Sequence, residues 1–578
     1  MKSVLPDADL PTVQVRPCPD PKFGDYQANA LIGLAKTRKM NPRQLATDVL
    51  QKLEVQPWCD AVEIAGAGFL NFRLKSSALE DALKNAARGE HSFFTKPAEQ
   101  RTIVIDFSSP NVAKPMHVGH IRSTILGESL TRILRLLGHR VITDNHLGDW
   151  GTQFGMLLVG WKTILDRANL EKDPIAEMER IYKVISARAD PEKEGFDPAT
   201  RDHAKAELVK LQSGDAENLG IWREMIRLSQ TQFDSIYSRL GVKFDFTLGE
   251  SFYNPRLRAL VDDLVKKGVA RESQGAKAIF SDGSLPPKED PFLVQKEGEW
   301  VANPFIVQKS DGGFNYATTD LATIDYRLEQ WQPREIVYIT GGPQQLHFRQ
   351  LFASFKRWQP QTAVKLAHVW FGSILGDDGR PFKTRAGESV RLSDLLGEAE
   401  ERAFQTVSEK SPELPEAQRR EIARMVGIGA VKYADLLPNR QSDYVFGWDK
   451  MLALNGNTAP YLLYAYARIR SIFRKGGETE ENLPNLGIKL REPYEIALAK
   501  HLLNFDFVLH ASADEYRPNF ICNYLYELAG HFTSFYENCP VLKAEPEIRN
   551  ARLVLCALTA RVLNQGLSVL GIETLEQM

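Results

Sequence analysis

The sequence is poor in cysteine and lacks long apolar runs. Its five cysteines (Cys18, Cys59, Cys522, Cys539 and Cys556) include no C-x-x-C pair, which argues against a disulfide framework and a thiolate zinc site. No apolar run approaches the roughly 20 residues of a membrane-spanning helix. The first residues lack both the apolar core of a signal peptide and the arginines of a transit peptide. We therefore expect a cytoplasmic protein with reduced cysteines and no membrane partner.

Net charge is also nearly absent. The chain of 578 residues has 72 Lys and Arg against 74 Asp and Glu. This balance neither suggests nor excludes a nucleic-acid partner, because local basic stripes can supply the attraction. The apolar fraction of 43% and the charged fraction of 25% are ordinary for globular chains. Length alone predicts roughly three or four domains.

Changes in sequence pattern divide the chain into three predicted parts. Residues 1–97 form a small α+β module, in which GAGFLNF predicts a tight glycine turn between two strands. Residues 98–396 carry strand and helix patterns, with a charge-rich helical insertion over about 153–302. After residue 396 nearly every segment has a helical pattern, which predicts an all-α domain over 397–578.

The middle part begins with a strand, loop, helix and strand. TIVIDF predicts a buried strand, and apolar residues spaced three and four apart predict the helix that follows the loop, ending at Gly138. RVIT predicts the second strand, and EIVYIT and AHVWFGSIL predict further buried strands. This pattern predicts an α/β fold with a doubly wound, Rossmann-type parallel sheet.

The loop SSPNVAKPMHVGH, residues 108–120, holds the candidate chemistry. Ligands of such sheets bind where strands end and helices begin, and helix N-termini favour anions. The loop has neither a P-loop nor a dinucleotide fingerprint. Two imidazoles one turn apart, His117 and His120, together with Lys114 suit a triphosphate that releases pyrophosphate. Gly119 leaves room for a nucleotide against the backbone. These features predict nucleotidyl transfer.

Other interpretations of the histidines remain open. They could bind zinc with Asp149 or His146 as a further ligand, although zinc hydrolases more often use i, i+4 spacing. They could also have a purely structural role. A small-molecule nucleotidyltransferase could use a similar histidine loop, although it would not need a large helical domain.

Polar residues near the same crevice point to a cationic substrate. Asp106 ends the first strand and Asn111 lies in the loop, while Tyr316 and Asp320 lie four apart at the start of a later helix. Carboxylates can bind the flat fork of a guanidinium through two hydrogen bonds, and a tyrosine can bracket it. The alternative is that Asp320 caps its helix and Tyr316 belongs to the core.

Several motifs resemble those of a known family. HVGH resembles the HIGH signature of class I aminoacyl-tRNA synthetases. Longer stretches, in one order along nearly the whole chain, resemble arginyl-tRNA synthetases: FSSPNVAKPMHVGHIRSTILGESLTRILRLLGH, DNHLGDWGTQFG, DGGFNYATTDLA, GRPFKTRAGESVRLSDLL, VKYADLLPNR, GNTAPYLLYAYARIRSI and LGIETLEQM. The resemblance implies a ligase that activates L-arginine with ATP and transfers it from arginyl-adenylate to the 3′ end of its tRNA.

The resemblance also implies roles for individual residues. It assigns Asp106, Asn111 and Gln344 to the amino and carboxylate groups of arginine, and Tyr316 and Asp320 to the guanidinium. The ATP-binding and catalytic residues that it implies are Lys114, His117, Gly119, His120, Lys383 and Arg385. Mg²⁺ is expected with ATP, no zinc is expected, and we expect a monomer.

The second class I signature is where the sequence departs from the class. The segment aligned with KMSKS is PFKTR, with Thr384 in place of the second lysine and Lys383 before it. Many arginyl-tRNA synthetases are similar in lacking that lysine. Lys114 is the predicted replacement, and Lys383 and Arg385 are expected to assist, unless they merely form an exposed basic loop. The family further implies that tRNA binds before the adenylate forms efficiently.

A predicted helix in the last part suits RNA. In YLLYAYARIRSIFRK, Tyr461, Tyr464 and Arg468 share one helical face, where aromatic rings can stack bases and arginine can hold phosphates. An ordinary helical core is the alternative. The resemblance favours anticodon and D-loop recognition by the following residues: Asn71, Tyr461, Tyr464, Arg468, Tyr536 and Met578. A non-enzymatic RNA-binding relative is a third interpretation, against which the retained histidines argue.

Overall fold

The structure is a computed structural model that describes residues 3–6, 14–90, 93–382, 390–479 and 487–578. Contacts divide the chain into two compact units. The first unit contains Met1–Lys96, Val407–Tyr433 and Leu452–Met578, and the second contains Pro97–Thr406 and Ala434–Met451. The predicted boundary near residue 98 lies close to the start of the second unit. Among the described residues, none of the helices combines the length and apolarity that a bilayer crossing requires.

An antiparallel sheet with three helices forms the N-terminal part of the first unit. Its elements are β1 (Val15–Pro17), β2 (Tyr26–Ala28), α1 (Ala30–Thr37), α2 (Pro42–Leu50), β3 (Cys59–Ala65), β4 (Phe69–Leu74) and α3 (Ser76–Ala87). The strand order is β1-β2-β4-β3. Gly66 and Gly68 have φ values of +50° and +134°, which other residues rarely adopt, so GAGFLNF forms the predicted turn.

The second unit begins with β5 and contains strands and helices in alternation. Its elements up to residue 375 are β5 (Thr102–Asp106), α4 (Val118–Leu136), β6 (Arg140–Asn145), α5 (Gln153–Thr163), α6 (Arg167–Lys172), α7 (Pro174–Ala189), α8 (Pro198–Gln212), α9 (Ala216–Leu240), β7 (Phe246–Thr247), α10 (Glu250–Lys266), β8 (Arg271–Ser273), β9 (Ala276–Ile279), β10 (Leu293–Lys296), β11 (Glu299–Ala302), β12 (Phe305–Gln308), α11 (Tyr316–Trp331), β13 (Glu335–Tyr338), a 3₁₀ turn (Gly342–Gln344), α12 (Gln345–Trp358), β14 (Lys365–His368) and β15 (Ile374–Leu375).

Five of these strands form the central sheet, in the order β14-β13-β5-β6-β7. Every neighbouring pair is parallel. The strand order reverses between β5 and β13, because β6 and β7 are added on one side of β5 and β13 and β14 on the other. Doubly wound sheets bind ligands at the carboxyl ends of the strands beside such a reversal. The predicted parallel sheet and its strands in TIVIDF, RVIT and EIVYIT are confirmed. The prediction for AHVWFGSIL is only partly right, because Ala367 and His368 end the half-exposed strand β14 while Ile374 and Leu375 form β15, which belongs to another sheet.

Helix α4 is buried on nearly every side. Its polar residues Ser123, Thr124 and Ser129 are as inaccessible as its apolar ones. Gly127 allows close approach to the end of β5, because a Cβ there would lie 2.2 Å from the ring of Phe107. This packing fixes the direction of α4, whose N-terminus therefore lies at the carboxyl edge of the sheet.

The predicted helical insertion over 153–302 contains helices α5 to α10, but it also contains strands. Helices α5 to α9 end at Leu240, after which β7 joins the central sheet and β8, β9 and β12 form a three-stranded sheet. Strands β10 and β11 form a hairpin around Glu297 and Gly298, which have positive φ. Strands of four residues with exposed charged side chains are too short to show a periodic pattern, so sequence could not distinguish them from polar helix.

Helices dominate the remaining residues. The elements are α13 (Leu392–Lys410), α14 (Glu416–Leu436), β16 (Tyr444–Val445), α15 (Trp448–Met451), α16 (Ala459–Gly476), α17 (Pro493–Leu503), α18 (Phe505–Asp514), α19 (Asn519–Asn538) and α20 (Pro546–Val569). Strand β16 pairs in parallel with β15, within the second unit. Three cysteines, Cys522, Cys539 and Cys556, are buried in the helices, and all five are free thiols.

The N-terminal sheet and the last helices pack together within the first unit. Lys500 of α17 forms an ion pair of 2.6 Å with Asp25. Arg561 of α20 donates to the carbonyl oxygen of Ala86 at 2.6 Å. The sequence alone does not predict this packing, since contacts between residues several hundred positions apart leave no local pattern.

Candidate active site

The loop from β5 to α4 has an unusual backbone that other elements hold in place. Ser108, Ser109 and Ala113 have φ values of 72°, 47° and 63°. Each such residue costs about 1 kcal/mol or more and persists only where its surroundings impose it. The N–H groups of the three donate to side-chain oxygens of other elements: Ser123 (2.8 Å), Asn145 (3.1 Å) and Ser229 (2.9 Å). The loop is therefore preorganised.

His117 and His120 lie against each other at the start of α4. His117 is the N-cap residue, and its Nδ1 accepts from the Gly119 N–H at 3.0 Å. The His117 N–H donates to Nδ1 of His120 at 3.2 Å, and the ring centroids are 4.1 Å apart. Because Nδ1 of each neutral ring is an acceptor, the ring proton lies on Nε2. Both rings therefore present Nε2–H donors.

Burial keeps both imidazoles uncharged. It lowers the pKa of His117, with a smaller contribution from the charge of Lys114. It lowers the pKa of His120 to about 3, assisted by the neighbouring His117. At neutral pH the pair therefore offers hydrogen-bond donors without positive charge, and cations must come from other residues.

The structure gives a steric reason for glycine at position 119 that the sequence did not reveal. A Cβ at this position would lie 2.8 Å from Cε1 and 2.9 Å from Nδ1 of His117. The expected reason was room for a nucleotide, but the structure shows that the glycine makes room for the histidine ring itself.

Lys114 is a predicted cation on the same loop as the histidine pair. Its ammonium lies over the ring of Tyr182 in α7, 5.0 Å from the centroid, and the residue is half-buried. Its charge also contributes to the lowered pKa of His117. Lys114 is thus placed in the same region as the histidine pair, as expected.

The predicted residues Lys383, Thr384 and Arg385 lie outside the described residues. The chain that follows this segment runs beside the histidines. Val118 donates its N–H to the carbonyl oxygen of Val390 at 2.9 Å. Residues on the C-terminal side of the second signature are therefore tied directly to the first turn of α4.

The predicted arginine ligand Asp106 already has partners within the protein. It is 5% exposed, and its carboxylate accepts from Arg327 Nη2 at 2.6 Å and from Ser109 Oγ at 3.0 Å. Arg327 is fully buried and also pairs with Asp144 at 2.8 Å. Its charge opposes the effect of burial, which raises the pKa of Asp144. The sequence had not predicted this triad, which fixes the carboxylate of Asp106.

Asn111 and Gln344 are both exposed. Asn111 forms a bridge with Gly148, and a Cβ on that glycine would lie 2.2 Å from the Asn111 side-chain oxygen. Gln344 ends the 3₁₀ turn that follows β13. Asn111 and Gln344 lie in the chain segments that follow β5 and β13, the two strands between which the strand order reverses.

Tyr316 and Asp320 converge on a histidine that sequence reasoning missed. Tyr316 is 62% exposed and meets the ring of His347 edge-on at 4.9 Å. Asp320 Oδ2 lies 2.6 Å from His347 Nε2. Tyr316 is therefore not a core residue, and Asp320 does not cap α11, whose N-cap residue is Asn315.

A second carboxylate near Asp320 was also missed. Burial, reinforced by the charges of Asp320 and Asp149, raises the pKa of Glu250 to about 7, while His146 opposes the shift. Glu250 opens α10 directly after β7, at the carboxyl edge of the central sheet. The only sequence signal was that position, which required knowing that the two-residue strand β7 belongs to the sheet.

Asp149, the carboxylate considered as a further zinc ligand, is engaged with another residue. Both carboxylate oxygens of Asp149 accept from Ser251, at 2.8 Å from its N–H and 2.6 Å from its hydroxyl. Within the described ranges, no three or more His, Cys, Asp or Glu side chains are grouped to hold a metal ion. The arrangement consists of neutral donors at a helix N-terminus, and the second unit also holds the neighbouring carboxylates Asp320 and Glu250.

A groove of about 850 Å³ lies on the helices of the first unit. Four predicted tRNA-binding residues line it: Tyr464, Arg468, Tyr536 and Met578. The guanidinium of Arg468 lies over the rings of Tyr464, at 4.9 Å, and Tyr536, at 5.9 Å. Tyr464 is 44% and Tyr536 40% exposed, so these rings are not an ordinary helical core.

The groove is also lined by cationic side chains that the sequence analysis did not identify. They are Arg474, Lys475 and Lys543. Positive side chains beside exposed aromatic rings are the combination that binds unstacked bases together with their phosphates. Tyr461 is not among the lining residues, and its ring lies 5.7 Å from that of Tyr526.

The predicted D-loop residue Asn71 is not at the surface. It is 2% exposed, and its side-chain oxygen accepts from Gln27 at 2.8 Å. The reason is that β4 is an inner strand between β2 and β3, and the turn at Gly24 covers it. As placed, the Asn71 carboxamide is a contact within the sheet, so we do not propose it as an RNA ligand.

Comparison with known proteins agrees with this geometry. Residues 82–448 match the family described as tRNA synthetases class I (R), catalytic domain. Residues 462–578 match the DALR anticodon binding domain, and residues 1–74 match the arginyl tRNA synthetase N terminal domain. The first match covers the sheet and histidine loop, and the second covers the groove.

Similar proteins cover the whole chain. The arginine–tRNA ligase of Hahella chejuensis is 44% identical over 569 residues, which are 98% of this chain and 95% of that protein. The arginine–tRNA ligase of Escherichia fergusonii is 45% identical over 98% of this chain and 96% of its own length.

Solved structures have the same architecture. Arginyl-tRNA synthetase from Plasmodium falciparum has a TM-score of 0.80 at 29% identity, over 100% of this chain and 97% of that one. The Thermus thermophilus enzyme also has a TM-score of 0.80, at 26% identity, over 100% of this chain and 98% of that one. The chain therefore belongs to the arginyl-tRNA synthetase family of class I aminoacyl-tRNA synthetases.

Proposed function

We propose that the chain attaches L-arginine to tRNA in the two steps of its family, with the residues described above in defined roles. The observation that carries the proposal is the neutral His117–His120 pair at the N-terminus of α4, beside the sheet reversal where such folds bind ligands. A crevice containing Asp320 and Glu250 supplies the negative charge that a guanidinium requires.

In the first step, the carboxylate of arginine attacks the α-phosphorus of ATP. An O–P bond forms, the bond to the bridging oxygen breaks, and pyrophosphate leaves with the electron pair. The Nε2–H groups of His117 and His120 and the ammonium of Lys114 stabilise the growing charge on the phosphates. Mg²⁺ bound to ATP would neutralise further phosphate charge. Gly119 keeps the His117 ring in place, and we assign a supporting role to Lys383 and Arg385.

Arginine is held at both ends. Asp320 and Glu250 bind the guanidinium, which Tyr316 brackets from its exposed position. The carboxylates attract a cation, and the fork of the guanidinium satisfies more of their oxygens than an ammonium would. The α-amino and carboxylate groups are assigned to three residues at the sheet edge: Asp106, Asn111 and Gln344. The Arg327 ion pair keeps the Asp106 carboxylate in one orientation.

In the second step, the terminal ribose hydroxyl of the tRNA attacks the carbonyl carbon of arginyl-adenylate and AMP leaves. No protein nucleophile is required, since the reaction depends on positioning. The groove around Tyr464, Arg468, Tyr536 and Met578 binds anticodon bases by stacking. Tyr461, outside the lining, supports that helix face.

Three further properties are proposed from the sequence and the family. The chain acts in the cytoplasm, it works as a monomer, and tRNA must bind before adenylate forms efficiently. The N-terminal part contributes to tRNA binding through surfaces other than Asn71, because that side chain is buried.

Aminoacylation tests the proposal. The purified chain should transfer radiolabelled arginine, and no labelled lysine, to purified arginine-accepting tRNA in the presence of ATP and Mg²⁺. Periodate-oxidised tRNA is the matched control, because it keeps its sequence and loses the terminal ribose diol. Failure to charge intact tRNA, or equal labelling of oxidised tRNA, would contradict the proposed function.

A further inference from the structure

Helix α4 carries a buried arginine whose function is unassigned. Arg122 follows His120 by two residues and is 2% exposed. Its Nε lies 3.1 Å from Oδ1 of Asp435, which is 4% exposed and belongs to the last turn of α14. Burying an ion pair costs desolvation energy, so the pair is weak evidence for a contribution to stability. The Arg122–Asp435 pair therefore calls for a different explanation.

The rest of the Arg122 guanidinium joins two further segments. Its Nη1 donates to the carbonyl oxygen of Gly372 at 2.8 Å and to that of Ser442 at 3.1 Å. The plane also lies over the ring of Tyr444, 5.1 Å from the centroid. One side chain thus connects α4, the residues around β15 and the residues around β16.

The segments around β15 and β16 are themselves joined by backbone hydrogen bonds. Gly372 donates to Arg440 at 2.9 Å, Tyr444 to Ser373 at 3.2 Å, and Phe446 to Leu375 at 2.9 Å. No space remains at Gly372, where a Cβ would lie 2.6 Å from an oxygen of Asp443. A displacement of residues 440–446 would therefore displace residues 372–375 with them.

The second segment leads directly into the second signature. Phe382 donates its N–H to the carbonyl oxygen of Ile374 at 3.0 Å. Its ring stacks on Phe446 with centroids 4.7 Å apart. Phe382 immediately precedes Lys383 in the sequence, and the position of Phe382 is set by segments that Arg122 joins.

We infer that Arg122 and Asp435 are positioning residues for adenylate formation, which fix the start of the second signature relative to the histidine helix. The inference rests on the proposed function. Neither residue touches the reacting groups. They act by setting the position of Phe382 relative to the donors of α4. Arginine is required because only its planar fork can reach the Asp435 carboxylate and two carbonyl oxygens together.

The test compares two conservative variants of the full chain. Arg122→Lys keeps the charge beside Asp435 but removes the fork, and Asp435→Asn keeps the size but removes the charge. The matched control is Arg552→Lys, because Arg552 is also buried, pairs with Glu495 at 2.7 Å and donates to a carbonyl oxygen at 2.8 Å. ATP–pyrophosphate exchange gives kcat and the KM for arginine per folded molecule at saturating tRNA, and filter binding gives the Kd for tRNA.

We expect Arg122→Lys to lower kcat by about tenfold or more, with the KM for arginine and the Kd for tRNA within about threefold of the wild type. Asp435→Asn should lower kcat in the same way. If Arg122→Lys does not fold, the kcat of Asp435→Asn tests the inference by itself. Arg552→Lys should retain kcat within about twofold.

Two results would overturn the inference alone. One is an unchanged kcat in the folded variants. The other is an equal loss of kcat in the Arg552→Lys control, which would indicate a general effect of replacing a buried arginine. Absence of arginine-dependent exchange in the wild type would contradict the proposed function itself, and the inference with it.

Discussion

At the scale of single residues, the position of each proton decides what the candidate active site can do. His117 and His120 accept at Nδ1 and are neutral, so they donate from Nε2 over the whole physiological pH range. The hydrogen-bond donors of the site are therefore different residues from those that carry its positive charge. In the proposed mechanism, the histidines orient the phosphates, and the positive charge is assigned to Lys114 and to the basic residues of the second signature.

Replacing Gly119 by alanine should displace the His117 ring, because the new Cβ would lie 2.8 Å from it. We expect the rate of adenylate formation to fall about a hundredfold or more, the usual effect of losing one such donor. ATP–pyrophosphate exchange measures the rate. Gly220→Ala in α9 is the control, since a Cβ there meets nothing within 4 Å, and equal rates in both variants would contradict the assignment of His117.

Arginine binding should depend on the charge of Glu250. Its pKa of about 7 means that the carboxylate gains a proton, and loses its negative charge, as pH falls from 8 to 6. The KM for arginine should therefore rise about five- to tenfold over this range. Titration of His120 cannot produce the change, because its pKa is about 3. Glu250→Gln should give a high KM that does not vary between these pH values. A wild-type KM independent of pH would contradict the role of Glu250.

At the scale of elements, α4 and the loop before it depend on each other. The hydroxyl of Ser123 donates to the carbonyl oxygen of Ile339 at 2.6 Å and accepts from the N–H of Ser108 at 2.8 Å. It thereby joins α4 to the end of β13 and to the loop residue with φ of 72°. The strained loop conformation is thus maintained by the neighbouring elements rather than by its own residues.

Ser123→Ala should lower the free energy of unfolding by about 1–3 kcal/mol, because two buried polar groups lose their partner. The control is Ser129→Ala in the same helix, since Ser129 is fully buried and its hydroxyl has no hydrogen-bond partner within the described residues. That substitution should be neutral or stabilising. Urea unfolding measures both, and equal destabilisation would show that the loop does not depend on Ser123.

The same elements show how far sequence reasoning extends. The β5–α4–β6 unit was predictable, because long apolar strands and a helix of 19 residues leave clear periodic patterns. The hairpin of β10 and β11 was not, since each strand has four residues. The partner of Asp106 could not be predicted either, because Arg327 lies 221 positions later. Pairings of that kind follow from topology, and no local pattern records them.

At the scale of the whole molecule, the residues proposed to recognise arginine and tRNA lie in different parts of the chain. The histidine loop and the carboxylates belong to one compact unit, and the aromatic groove belongs to the other. Variants in the groove should therefore affect tRNA and leave the requirement for arginine unchanged. The kinetic constants for the two substrates can test this separation directly.

Tyr536→Ala should raise the KM for tRNA about tenfold or more, since a stacked base contributes about 1–3 kcal/mol. The KM for arginine should stay the same. Tyr494→Ala is the matched control, because Tyr494 is 42% exposed in the same unit and does not line the groove. Steady-state aminoacylation gives both constants. An unchanged KM for tRNA in Tyr536→Ala would exclude the groove as the anticodon site.

The most direct test of the whole account is ATP–pyrophosphate exchange by the wild-type chain with each standard amino acid, with and without tRNA. The account predicts exchange with arginine alone, and only when tRNA is present. Exchange with a different amino acid would contradict the assignment of Asp320 and Glu250 to a guanidinium. Absence of exchange under every condition, by a folded protein with chargeable tRNA, would contradict the proposed enzyme activity.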